Sequence, residues 1–181
     1  MKKAETILKK TVLFTDVLRA VFLFAVLYFL MVVETTWANW FSFFGAIPDV
    51  VLVFVICFSL HQGGLYAVFL SVISGLMLDL LCGKVLPKDM VLYLYISCGC
   101  VWISNRVFLK GFKMSAVAVF LFSLLYRLTE AGFSFFIEDT FCFSASFLFL
   151  KAVANTLCAF LINPLARLFV KERGRGFEAE L

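Results

Sequence analysis

Between Gly63 and Gly83 the chain reads GGLYAVFLSVISGLMLDLLCG, and every fourth residue is small or polar: Gly63, Ala67, Ser71, Gly75, Asp79 and Gly83. A step of four keeps such residues on one slowly drifting stripe of an α-helix with 3.6 residues per turn. The other faces carry Leu, Val, Ile, Phe and Met. Few folds accept such a helix. In a membrane, a stripe of small residues lets a second backbone approach closely, because van der Waals packing replaces the missing hydrophobic drive. The stripe also presents one carboxylate, Asp79, inside an apolar segment, a costly placement that marks an assembly or functional position. It is the expected docking face, for another helix of the chain, for a second copy in a homo-oligomer, or for a different subunit.

Composition fixes the class of the remaining chain. Of 181 residues, 64% are hydrophobic and 15% charged, whereas soluble domains are close to half apolar. An all-α integral membrane protein is expected, built as one bundle of six transmembrane helices. The spans read Phe14–Val33, Ile47–Leu60, Leu65–Cys82, Met90–Ser104, Met114–Phe136 and Ala145–Val170. Several fall short of the ~20 residues that cross ~30 Å of hydrocarbon. The second is the shortest, and the aromatic run Trp37–Phe44 offers it an interfacial lead-in. The domain layout is a basic segment 1–13, a membrane domain 14–170 and a charged tail 171–181 expected to be disordered.

Orientation follows from the basic residues. With both termini inside, the cytoplasmic edges hold Lys2, Lys3, Lys9, Lys10, Arg106, Lys110, Lys113, Arg167, Lys171, Arg173 and Arg175, against Lys84 and Lys88 outside. Eleven against two is the asymmetry that positive-inside topology requires, and it makes anionic lipid a natural neighbour of the inner face. The Lys-rich start followed by an apolar run has the form of a signal peptide. However, Glu34-Thr35-Thr36-Trp37 offers no small-x-small cleavage site, so a retained first span is expected.

Reactive chemistry is sparse. Six cysteines are scattered without a CxxC pair, and there is one histidine, His61. The cysteines read as small buried hydrophobes, His61 as a solvated turn residue, and no metal or cofactor is expected. No GxSxG, HExxH, phosphate loop or nucleic-acid-binding pattern occurs, so neither an enzyme nor a nucleic-acid partner is expected.

Charge inside the spans is the exception. Counting 1.5 Å per residue puts Glu34, Asp49, Asp79, Arg127, Glu130 and Lys151 all in the outer third of the membrane. Arg127 and Glu130, three apart on one helix, can pair with each other. Pro48 and Asp49 read as a plain helix start, with the proline in the first turn and the carboxylate toward the positive dipole end. For Asp79 the expected mates are Arg127 and Lys151, forming an ion-pair lock across helices. A docking surface or a small-molecule pocket at the same depth remains open.

At Pro48-Asp49 and Gly75-Leu76-x-x-Asp79 the sequence resembles the rod shape-determining protein MreD family. The similarity continues through Gly83, the segment Tyr93–Tyr95, and Asn155 with Pro164, covering about residues 18 to 170. It departs at Leu86-Pro87, where the family often has glycine after the outer turn. The resemblance implies a non-enzymatic scaffold of the bacterial elongation (rod) complex in the cytoplasmic membrane. Such a scaffold associates with MreC and links MreB filaments to RodA and its transpeptidase during peptidoglycan synthesis and cell-shape determination. The rival is the substrate-binding membrane component of an energy-coupling-factor vitamin importer, also a six-span protein with an outer pocket. Those carry an Ala-x-x-x-Ala coupling motif in span one, whereas Ala20 and Ala25 here are five apart.

Overall fold

A computed structural model describes residues 2–36, 46–83, 87–106, 112–138 and 145–170. Residues 37–45, Lys84, the segment around Lys110 and residues 171–181, on which several expectations fell, lie outside the described residues. Six helices and no strand occur among those described: α1 (Lys2–Thr36), α2 (Val50–Gln62), α3 (Gly64–Leu81), α4 (Lys88–Arg106), α5 (Phe112–Glu138) and α6 (Ala145–Phe169). These match the expected spans to within a few residues. One difference is at the start, where α1 runs without a break from Lys2. The basic segment and the first apolar run contain no Gly or Pro before Thr36, so nothing interrupts the helix between them. The other is Pro164, since a proline inside a helix usually kinks or ends it. The helix continues through it to Phe169.

The bundle is built around α2. All ten residues from Val51 to Leu60 are buried, and every other helix packs on it. Its sequence is apolar all round (VVLVFVICFSL), as a helix with no solvent- or lipid-facing side should be. This explains its 13 residues, about 20 Å of rise. A helix wrapped by its neighbours has no bilayer thickness to match. Around it, α3 packs mainly on α4, and α5 mainly on α6. The outer helices turn large apolar residues outward, among them Phe22 and Phe29 on α1, Tyr66 and Phe69 on α3, and Leu161 and Leu168 on α6. Four helices carry stretches long and apolar enough to cross a membrane: Val17–Thr36, Gly64–Leu81, Met114–Phe133 and Ser146–Phe169. The chain is a helical membrane protein.

A single residue, Gly63, separates α2 from α3. Both Gly63 (φ 60°) and Gly64 (φ 68°) adopt left-handed backbone, which only glycine visits cheaply. The reversal therefore needs no loop.

Candidate functional site

One end of the bundle is organised by the first turn of α2. A helix start leaves four backbone N–H groups without intrahelical partners. Asp49 occupies the N-cap position, but its side chain makes no capping bond. Two other helices satisfy the turn instead. Glu34 of α1 accepts the Val51 N–H through Oε2 (2.8 Å), and Asn155 of α6 accepts the Asp49 N–H through Oδ1 (2.7 Å). Pro48, expected in the first helical turn, lies two residues before Val50 and outside the helix, where it is buried.

Freed from capping, the Asp49 carboxylate turns sideways into a charge cluster. Arg127 Nη2 lies 2.7 and 2.6 Å from its two oxygens, and Lys151 Nζ donates to Oδ1 from 3.2 Å. Asn155 Nδ2 reaches Oδ2 (3.4 Å) and Ser123 Oγ (3.2 Å). Arg127 also pairs with Glu130, as their spacing on α5 suggested. All the charged members are largely buried, with Arg127 and Lys151 each at 13% side-chain exposure and Asp49 at 14%. Hydrogen-bonded opposite charges are the arrangement under which ions persist in a low-dielectric interior.

The expected lock between Asp79 and these two cations does not form. Both cations take Asp49. Asp79, buried on α3, accepts the backbone N–H of Met90 through Oδ2 (2.9 Å). Met90 is the third residue of α4, so Asp79 serves one of that helix's orphan donors from a neighbouring helix. Four residues earlier on the stripe, Gly75 sits against the same turn. A Cβ there would lie 2.5 Å from Met90 Cα and 2.7 Å from the Asp89 carbonyl oxygen. Gly63, Ala67, Ser71, Gly75 and Asp79 are all buried, while Gly83 at the end of the stripe is exposed. At Gly75 and Asp79 the stripe is thus the face that α3 lays on α4.

Three participants were not anticipated. Asp89 belongs to the first turn of α4 and is 1% exposed. Its Oδ1 accepts the Tyr126 hydroxyl at 2.9 Å, and Tyr126 adjoins Arg127 on α5, which joins the α4 start to the Asp49 cluster. Tyr93 packs its ring on Tyr126, 5.8 Å between centroids. Glu34, placed at the right depth, turned out to be a cap. The signal for Asp89 was its place beside Lys88 directly after Pro87, a usual helix-opening context.

The opposite end of α2 is held differently. His61 Nε2 lies 2.6 Å from Asn163 Oδ1 and 3.3 Å from Arg167 Nε. Arginine can only donate, so the ring accepts from Arg167 when Nδ1 carries the proton and donates to Asn163 when Nε2 does. Ser104 of α4 donates to the Leu60 carbonyl (2.7 Å), and Ser59 bonds Ser97 (2.9 Å). His61 is therefore half-buried and tied to α6, not a solvated turn residue.

Among the described residues, no group of three His, Cys, Asp or Glu side chains is placed to hold a metal ion. Cys57 and Cys100 are buried free thiols. No family model, curated protein or solved structure matches this chain.

Proposed function

We propose that the protein is a non-enzymatic scaffold of the bacterial elongation complex, of the MreD type, in the cytoplasmic membrane. In this reading all six helices span, both termini are cytoplasmic, and MreC is the direct partner. MreB, RodA and its transpeptidase are linked indirectly. One observation carries the reading. Four of the residues on which the resemblance rests are used for joining helices: Asp49 bonds α5 and α6, Asn155 holds the start of α2, and Gly75 and Asp79 seat the start of α4. A frame of this kind suits a protein whose task is to present fixed surfaces to other subunits. A vitamin-binding importer component would instead want these outer polar groups turned toward a ligand.

Affinity purification of the tagged protein from a membrane extract, with the partners identified by mass spectrometry, tests the reading. MreC is the expected companion, and an energy-coupling ATPase in its place would decide for the importer. Reporter fusions after residue 181 and within residues 138–140 should report opposite sides of the membrane. The same side for both would sink the six-span arrangement.

A further inference from the structure

A cleft of about 440 Å³ runs between α4 and α5, lined by Ile103, Met114, Val117, Ala118, Leu121, Phe122 and Leu125. Its floor is Phe122 and Ala118, both buried. Phe122 can lie this close to α4 because Gly99 faces it, where even a Cβ would come within 3.0 Å of the ring. Val117 and Leu121 form an open rim, at 55% and 59% exposure. From Met114, where the apolar stretch of α5 begins, to Leu125 is eleven residues, about 16 Å of rise. That is close to half of a ~30 Å hydrocarbon core. The cleft is therefore one leaflet deep.

Its shallow end is marked by charge. Arg106 is three residues beyond Ile103 and so on the same face of α4. It is exposed and stands over the Trp102 ring, 5.9 Å from the centroid. Among the described residues no carboxylate pairs with it. Tryptophan and arginine side by side at a helix end belong at headgroup level.

We propose that this cleft binds one acyl chain of an anionic phospholipid, with the phosphate headgroup at Arg106. A tail of the adjoining leaflet has the right length and chemistry for a dry, apolar, one-leaflet groove, and the unpaired guanidinium selects a negative headgroup. The site rests on the membrane orientation proposed above only for the name of the leaflet, which becomes the cytoplasmic one.

Native mass spectrometry of the full chain in detergent, supplied with equal amounts of phosphatidylglycerol and phosphatidylcholine, tests it. One retained lipid is expected, with phosphatidylglycerol favoured about fivefold, the ratio that ~1 kcal/mol per basic residue gives. Arg106→Gln should bring the ratio toward one. Val117→Trp should displace the lipid of either kind, with Leu121→Trp as a second filling variant should the first lower thermal stability. Equal retention of both lipids by the unaltered protein would overturn the headgroup assignment. Undiminished lipid on both Trp variants would overturn the cleft. A stoichiometric polypeptide lost on Val117→Trp, with no lipid adduct, would give the groove to a partner helix. Micelles have no sides, so these outcomes stand apart from the fusion results, which alone can reverse the leaflet.

Discussion

At its Asp49 end α2 is gripped by full charges, Asp49 against Arg127 and Lys151, while at its His61 end it is held by an imidazole, an amide and a serine hydroxyl, with one exposed arginine alongside. The two ends solve the same problem, tying the termini of a buried helix to the helices around it, with different chemistry. Charge is the riskier solution. Its attraction is strong where water is excluded, but removing one member strands the others. Neutral hydrogen bonds are weaker, and losing one leaves less behind. The Asp49 end should therefore be brittle and the His61 end forgiving.

The sharpest way to break that contrast is Asp49→Ala, which leaves Arg127 and Lys151 facing each other. A loss of up to ~3–5 kcal/mol is expected, the range for breaking a buried pair, read as a lower unfolding temperature in detergent and lower abundance in the membrane. Adding Lys151→Met should recover part of it. Stability equal to the unaltered protein would mean the charges hold nothing.

Gly75→Leu comes next, because its side chain would start 2.5 Å from the Met90 backbone. Overpacking of this kind costs ~1–3 kcal/mol, and the neighbour here is main chain that cannot step aside. Leu76→Ala next door, at a partly exposed position, should be nearly silent in the same thermal measurement. Equal tolerance of both changes would remove the stripe as a packing face.

Asp79→Ala should cost ~1 kcal/mol, the usual loss of a capping side chain. Neutralising Arg127 or Lys151 should not restore it, since those cations belong to Asp49. Restoration by either would reinstate the lock that the sequence suggested.

Smallest of all, His61→Ala should lower stability by ~0.6 kcal/mol, the average for interhelical hydrogen bonds in membranes. A loss as large as that of Asp49→Ala would erase the difference between the ends.

Much of this was legible in the sequence, and the misreadings share a cause. Apolar run lengths located all six helices, and spacing alone found both the Arg127–Glu130 pair and the inward stripe through Gly75. Rise per residue also put Glu34, Asp49, Arg127 and Lys151 at one level. Depth along a helix is a matter of counting, but the direction a side chain points across the bundle depends on how helices are rotated against one another. Two cations at the right height could not say which acid they faced, so Asp79 was matched with Arg127 and Lys151 while Asp49 passed for an ordinary helix start. Asp89 was missed for a related reason: Pro87 just before it marks a helix opening, but nothing local says that the carboxylate folds under Tyr126.

The bonds that close on α2 also set an order of events during synthesis. Asn155 lies 106 residues downstream of Asp49, and Asn163 lies 102 downstream of His61. When α2 leaves the ribosome, neither of its keepers has been made. Its thirteen residues must wait beside α1 and α3 until the final helix arrives. A nascent chain stopped before residue 145 should thus hold the central helix loosely, open to proteases that the finished bundle resists. Of the six helices described, the one made latest is the one that seals the central one in place.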